Sequence, residues 1–251
     1  MKVPACLRLS IALLAMTGSI RGAASPAELR DLPLIEVPPR EVVEAGPDDA
    51  ALKASFAVLL SGAGGWVTID RVLSDELGNK GLPVVGFNTL RYFWRTRTPE
   101  ETADDVARTM DYYMHAWSRP RVVLIGYSLG ADVLPFVVNR LPPDLHSHVT
   151  ATVLIGIGQT ASFEFHVRDW VPSAEAPGQP IAPELDRLEL AKVVCLYGAG
   201  ELHSLCPRVA RAGGRTEEIG SGHHLGGQYR EIARRILMIV ANPSDVRAEV
   251  P

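Results

Sequence analysis

Short apolar runs alternate along this chain with longer amphipathic segments. Five of the runs are rich in β-branched and leucine residues and predict buried strands, at residues 57–61, 82–87, 122–127, 149–157 and 192–197. Apolar residues at helical spacing predict helices near residues 68–80, 99–117, 129–141 and 227–240. Continuous apolar strands separated by helices are typical of a mostly parallel sheet with helices on both faces, so the pattern predicts an α/β domain.

The alternation of strands and helices is interrupted at residues 159–185. This stretch contains several prolines and the aromatic residues Phe163, Phe165 and Trp170, where a short crossover would otherwise connect two strands. We therefore interpret residues 159–185 as a cap-like insertion over a pocket, within a single domain that spans residues 25–251.

The strand at residues 122–127 leads to Ser128, which stands between Gly126 and Gly130 and is followed directly by an apolar helix. A serine on such a tight turn needs strained backbone angles, and glycine on each side removes Cβ atoms that would clash. The pattern predicts that Ser128 is a nucleophile and that the N–H of Leu129 faces the oxyanion. The alternative is a glycine-lined turn whose serine only caps the helix.

A serine nucleophile needs a base and a group that orients the base, and in α/β-hydrolases these follow in the order serine, acid, histidine. Glu201 comes soon after the strand at residues 192–197, and Asp169 and Asp186 are alternative acids. Two adjacent histidines precede the last helix; we favour His223 over His224 as the base because it directly follows a glycine. The order predicts an α/β-hydrolase fold.

A glycine-rich loop after the first buried strand is the expected source of the second oxyanion donor. It covers residues 61–66, where Ala63 or Gly64 would supply the N–H and Trp66 is a candidate substrate-binding residue. The loop lacks the lysine and the following hydroxyl residue of a P-loop, so its sequence does not favour nucleotide binding.

Charged and aromatic residues near the same edge of the sheet are candidates for substrate binding. Asp132 lies in the first part of the helix after Ser128, where it either complements the helix dipole or faces the pocket and binds a cation. Arg91 and Tyr92 follow the strand at residues 82–87, and Arg91 or Arg95 could hold an anion such as a phosphate headgroup. The alternative for Tyr92 is packing in the core.

The first 24 residues have the composition of a secretory signal peptide. Two basic residues precede an apolar stretch too short to span a bilayer, and small residues follow near Ala24. The sequence thus predicts export to the periplasm. Without the signal, 25 basic residues become 22 against 29 acidic ones, a net charge of −7 that gives no indication of nucleic-acid binding.

Two cysteines, Cys195 and Cys206, remain after the predicted signal is removed. An even number of cysteines in an oxidising compartment predicts a disulfide. A metal site is the weaker interpretation, because His203 alone does not complete a ligand set. The sequence predicts neither a metal nor an organic cofactor.

The chain resembles the VirJ/AcvB family of bacterial virulence factors over nearly all of the sequence after residue 24. The matching segments are Leu60–Trp66, Leu90–Trp94, Gly126–Phe136, Asn139–Pro142, Cys195–Cys206 and Gly222–His224. The resemblance implies a periplasmic α/β-hydrolase-fold protein linked to virulence and type IV secretion. It also implies a substrate, since AcvB-like members hydrolyse aminoacyl esters of phosphatidylglycerol, notably the lysyl form.

Two functional hypotheses follow. In the first, the protein is an exported serine hydrolase that acts on an aminoacylated phospholipid or another small ester, with peripheral contact to the membrane. Asp132 would then bind the ammonium group, and Arg91 or Arg95 the phosphate. In the second, a non-catalytic periplasmic factor uses the hydrolase fold as a scaffold to bind type IV secretion components or cargo. The second is favoured by Ala63, which stands where the family usually has an aspartate.

Overall fold

A mostly parallel β-sheet forms the centre of the protein. The computed structural model describes residues 25–40, 49–165 and 178–242. The strands in these residues are β1 (Leu34–Val37), β2 (Ser55–Leu60), β3 (Val84–Phe87), β4 (Arg121–Tyr127), β5 (Val149–Ile155), β6 (Thr160–Ala161), β7 (Gln179–Pro180), β8 (Val193–Ala199) and β9 (Arg215–Ser221). Seven of them form one sheet in the order β1-β3-β2-β4-β5-β8-β9, in which only β1 runs antiparallel to its neighbour.

Helices cover both faces of this sheet. The described helices are α1 (Asp49–Lys53), α2 (Thr68–Asn79), α3 (Thr89–Tyr92), α4 (Pro99–Ala116), α5 (Leu129–Val138), α6 (Pro143–His148), α7 (Ala182–Leu185), α8 (Cys206–Arg211) and α9 (Tyr229–Ala241). Apolar residues of α4 and α5 pack on one face, and those of α2 and α9 pack on the other. The predicted α/β architecture is confirmed.

The central strands are apolar throughout because both of their faces are buried. Every residue of β2 is buried; Phe56, Val58 and Leu60 face α4 and α5, whereas Ala57 and Leu59 face α2 and α9. This alternation follows from the two-residue period of a strand. Since β2, β4, β5, β8 and β9 are parallel, the loops that follow them meet at one edge of the sheet.

The apolar pattern of the sequence does not predict strand β9. Its sequence, Arg-Thr-Glu-Glu-Ile-Gly-Ser, is polar, and Ile219 is its one buried residue. Edge strands carry polar residues on their solvated sides, so an apolar pattern does not identify them.

The insertion at residues 159–185 is described in part. Strands β6 and β7 pair as a two-stranded ribbon, and α7 follows. Glu184 of α7 accepts hydrogen bonds from Asn139 Nδ2 at its Oε2 (2.6 Å) and from Arg140 Nη1 at its Oε1 (3.0 Å), which fixes the end of the insertion to the end of α5. Trp170 lies outside the described residues.

The predicted signal sequence, residues 1–24, also lies outside the described residues. Within 25–40, 49–165 and 178–242, none of the helices combines the length and the apolar character that a membrane span needs. The same ranges contain no group of three or more His, Cys, Asp or Glu side chains arranged to hold a metal ion.

Candidate active site

Ser128 occupies a strained turn between β4 and α5. Its backbone has φ 50° and ψ −117°, outside the regions that residues with a Cβ atom normally adopt. Its N–H donates to the carbonyl of Ile155 (2.9 Å), and its carbonyl accepts the N–H of Asp132 (2.9 Å). Strain held in place by neighbouring backbone is characteristic of functional positions.

The two glycines that flank Ser128 are required by close backbone contacts. A Cβ atom on Gly126 would lie 2.5 Å from the carbonyl oxygen of Gly130. A Cβ atom on Gly130 would lie 2.1 Å from the carbonyl oxygen of Leu60. Alanine at position 130 would therefore force α5 away from β2 and displace the serine.

Ser128, His223 and Glu201 form a hydrogen-bonded chain. His223 Nε2 lies 2.8 Å from Ser128 Oγ, and His223 Nδ1 lies 2.6 Å from Glu201 Oε1. The second carboxylate oxygen of Glu201 accepts the N–H of Gly198 (3.1 Å). Because an ionised carboxylate only accepts hydrogen bonds, Nδ1 carries the proton of the neutral ring, and Nε2 is the acceptor for the serine hydroxyl.

Two of the competing candidates, His224 and Asp186, have other hydrogen-bond partners. His224 Nδ1 is 2.7 Å from the hydroxyl of Tyr127, the last residue of β4, so this histidine is bound to the residue before the serine and not to the serine itself. Asp186 forms a surface ion pair with Arg208. Asp169 lies outside the described residues.

The histidine and the glutamate perturb each other. The hydrogen bond to Glu201 raises the pKa of His223 above its ordinary value of 6.5. Burial alone would raise the pKa of Glu201, but the hydrogen bonds from His223 and Gly198 outweigh burial and hold it below its usual value. Glu201 is thus ionised near neutral pH, the state that stabilises an imidazolium ion.

Two cavities meet at Ser128. The larger, of about 370 Å³, lies between the glycine loop, the start of α2 and the two histidines. The smaller, of about 170 Å³, is lined by Asp132 and by Thr160, Ser162, Glu164 and Phe165 of the insertion. Ala63 and Ser128 line both cavities, and Gly64 lines the larger one. A bound ester with its carbonyl group at Ser128 would therefore place its acyl part in one cavity and its alcohol part in the other.

Asp132 faces the smaller cavity and also supports its wall. Its Oδ1 accepts the N–H of Gly158 (2.7 Å). Burial raises the pKa of Asp132 to about 7, although this hydrogen bond and the nearby His223 act in the opposite direction. Near neutral pH the carboxyl group is therefore present in both its neutral and its ionised form.

The glycine loop is held in place by Thr89, a residue that the sequence analysis did not single out. The single proton of the Thr89 hydroxyl is shared between the carbonyl oxygens of Ser61 (2.9 Å) and Gly62 (2.8 Å), and the Thr89 N–H donates to Ser61 Oγ (3.1 Å). Ser61 and Thr89 are fully buried. These contacts fix the peptide group between Gly62 and Ala63, whose N–H is the candidate for the second oxyanion donor. The candidate for the first donor, the N–H of Leu129, lies at the start of α5 and has no intrahelical acceptor.

A comparison with protein families identifies the chain. A model of the bacterial virulence protein family VirJ matches residues 54–243, about three quarters of the sequence. The chain belongs to the VirJ family. A search of curated proteins gave no match.

Solved structures of esterases and hydrolases share the fold of this VirJ-family protein. It is similar to the esterase domain of a Rhodothermus marinus protein (TM-score 0.54, 15% identity, covering 82% of this chain and 91% of that one). It is also similar to Est1E from Butyrivibrio proteoclasticus (0.52, 11%, 78% and 92%) and to the meta-cleavage product hydrolase from Pseudomonas fluorescens (0.52, 12%, 82% and 92%). The predicted α/β-hydrolase fold is confirmed.

The disulfide predicted for this VirJ-family protein is confirmed. Cys195 of β8 is bonded to Cys206 at the start of α8, and both residues are buried. The bond closes the segment that carries Glu201, and it is consistent with export to an oxidising compartment.

Three residues that the sequence analysis assigned to substrate binding lie away from the nucleophile of the VirJ-family protein. The ring of Trp66 covers Gly86 of β3, where a Cβ atom would come within 2.3 Å of it. Tyr92 is buried, and its hydroxyl donates to Asp105 (2.6 Å). Arg91 lines a third cavity that shares no lining residue with the two at Ser128.

Lateral distance explains the corrections for Arg91 and Tyr92, whereas Trp66 follows β2 and places its ring over β3. Strand β3 is separated from β4 by β2, which places it about 10 Å across the sheet from the strand that carries Ser128. Residues that follow β3 reach the correct edge of the sheet but not the nucleophile itself.

Proposed function

We propose that this protein is an exported serine hydrolase that cleaves a carboxylic ester. The proposal depends on one observation: the hydrogen-bonded chain from Ser128 through His223 to Glu201, with distances of 2.8 and 2.6 Å. These two hydrogen bonds support catalysis over a purely scaffolding role, because a binding factor would not need three polar side chains linked in this order.

In the proposed mechanism Ser128 Oγ attacks the ester carbonyl while His223 Nε2 accepts its proton. Glu201 stabilises the imidazolium ion that forms. The N–H groups of Leu129 and of Ala63 or Gly64 stabilise the tetrahedral oxyanion. His223 then returns the proton to the leaving alcohol, and water hydrolyses the acyl-enzyme by the same steps in reverse.

The proposed substrate is an aminoacyl ester of phosphatidylglycerol, in particular the lysyl form. The family resemblance supports a lipid of this kind, and the smaller cavity supports its ammonium group. Asp132 and Glu164 both line this cavity, next to Ser128, so a cationic acyl group bound there would lie beside carboxylates. The proposed role in virulence through type IV secretion depends on the family resemblance.

Incubation with lysyl-phosphatidylglycerol tests the mechanism. We expect lysine release by the wild-type protein, none by Ser128→Ala, and wild-type rates for Ser147→Ala, which removes a hydroxyl from a surface site on α6. Lysine release by Ser128→Ala at the wild-type rate would refute the mechanism.

A fluorophosphonate probe separates the substrate from the activity. Labelling of the wild-type protein but not of Ser128→Ala, together with no lysine release, would retain the serine hydrolase and exclude the lysyl ester. The absence of both labelling and lysine release would favour the non-catalytic secretion factor.

A further inference from the structure

The third cavity is lined by four arginines. It has a volume of about 790 Å³ and lies between residues 30–34 and residues 90–97, with Arg30, Arg91, Arg95 and Arg97 in its walls. Asp31 is the one acidic residue among the described residues that line it, and this carboxylate lies 3.6 Å from a different arginine, Arg108. Among the described residues, no carboxylate forms an ion pair with any of the four, so the cavity has an excess of positive charge.

The guanidinium group of Arg97 is held in one orientation at the wall of this cavity. Its guanidinium carbon lies 4.8 Å from the centre of the Tyr92 ring, which orients the group. Its Nε is buried and has no hydrogen-bond partner in the described part of the chain. The rest of the guanidinium group is partly exposed and lines the cavity, where its N–H groups can donate to an anion.

An exposed tryptophan borders the same cavity. Trp94 lines it and remains 68% exposed, although large apolar side chains are usually covered. Its ring stacks on Phe165 with centroids 5.7 Å apart, and Phe165 lines the small cavity beside Ser128. The arginine cavity and the candidate active site are therefore neighbours, joined by one aromatic pair.

We infer that this surface docks the protein on an anionic phospholipid bilayer. The arginines would bind the phosphodiester headgroups, and Trp94 would enter the interfacial region, where tryptophan is enriched. Without the predicted signal the chain has a net charge of −7, so an anionic membrane would repel much of its surface and attract this part of it. A free phosphate ion would need neither an exposed indole nor a cavity wide enough for four arginines.

This inference deepens the proposed function by assigning the membrane contact to a named surface, and it can be tested apart from catalysis, because docking requires headgroup charge and no ester cleavage. The test uses Ser128→Ala protein and vesicles of phosphatidylglycerol and phosphatidylcholine, which contain no aminoacyl ester. Binding is measured by co-sedimentation at low and high salt. The arginine variant is Arg91→Gln/Arg95→Gln, and the matched control is Arg71→Gln/Arg211→Gln, which removes two exposed arginines outside the cavity.

We expect Ser128→Ala protein with no further substitution to bind phosphatidylglycerol vesicles and to bind phosphatidylcholine vesicles poorly. It should dissociate from the vesicles as salt screens the charges. Each basic residue near an anionic surface contributes about fivefold to binding, so Arg91→Gln/Arg95→Gln should weaken it by about 25-fold relative to the control double variant. Trp94→Ala should also weaken binding without altering charge, which provides a second variant should the first fail to fold.

Equal binding by the arginine variant and the control would overturn the proposal. A second result would also overturn it: none of the proteins sediments with vesicles, but inorganic phosphate changes the tryptophan fluorescence and this change is lost in the arginine variant. That result would identify a site for a soluble anion.

Discussion

Replacing Glu201 with glutamine changes one oxygen of the candidate triad into an NH2 group and keeps the shape of the side chain. In the native protein each carboxylate oxygen accepts one hydrogen bond, from His223 Nδ1 (2.6 Å) and from the N–H of Gly198 (3.1 Å). Glutamine has one acceptor oxygen for these two donors. The substitution therefore forces a choice between them.

If the oxygen of Gln faces Gly198, its NH2 group faces His223 Nδ1, which must then act as the acceptor. The ring proton moves to Nε2, which can no longer accept the proton of Ser128. If the amide is reversed, its NH2 group opposes the N–H of Gly198, at a cost of about 1–3 kcal/mol for the unpaired donor. Loss of the carboxylate from such a triad lowers kcat about 10⁴-fold, or about 5 kcal/mol in the barrier, so we expect a decrease of this order for Glu201→Gln.

The assay is the initial rate of ester hydrolysis as a function of pH. In the wild-type protein kcat should rise with pH as His223 loses its proton, with a midpoint above 6.5 because its folded pKa is raised. Glu201→Gln removes the main cause of that shift, so any residual activity should titrate at a lower pH. The matched control is Glu217→Gln on β9, whose carboxylate is 17% exposed and ion-paired with Arg215. A Glu201→Gln variant with the kcat of this control would refute the assigned role.

The remaining predictions concern the supports of the site and its specificity. Gly130→Ala should lower the melting temperature strongly, whereas Gly64→Ala should leave it unchanged, because the nearest atom to the new Cβ is 2.1 Å away in the first case and 3.6 Å in the second. Thr89→Val should lower kcat for any ester while Thr89→Ser retains it, since the side chain holds the glycine loop through its hydroxyl. Asp132→Asn should raise KM for a lysyl ester more than for an acetyl ester; the wild-type KM for the lysyl ester should fall as pH rises through about 7, where Asp132 ionises. Reduction of the disulfide should lower the melting temperature, because a loop of this length contributes about 3 kcal/mol, and a melting curve unchanged by reductant would contradict this.

The parts of the fold that the sequence predicts are those with a local cause. Apolar strands and amphipathic helices leave a periodic pattern, and the predicted limits of α2 and α4 differ from the observed ones by one residue. Strand β9 leaves no such pattern, because it lies at the edge of the sheet with one buried residue. Its pairing with β8 depends on tertiary contacts.

Substrate-binding residues are harder to predict than the nucleophile for a related reason. The sequence correctly brings Arg91 and Tyr92 to the end of a strand at the active edge, but it does not show that β3 is two strands from β4. Conversely, Thr89 has no distinctive motif, and its role depends on β3 lying beside β2. Lateral order in a parallel sheet is a property of the whole chain and leaves no signal at a single residue.

The three candidate catalytic residues also differ in whether local or long-range contacts hold them in place. Ser128 is fixed by its own turn, since the flanking glycines allow α5 to contact β2, and five consecutive residues contain the signal. Glu201 is fixed by the N–H of Gly198 and by a disulfide that joins residues 11 apart, and it meets a histidine 22 residues further along the chain. Because a displacement of about 1 Å is enough to impair a catalytic site, the acid depends on this long-range closure more than the serine does. Reduction of the disulfide should therefore lower kcat more than it lowers labelling of Ser128 by a reactive phosphonate, whose strong electrophile needs less assistance from the base.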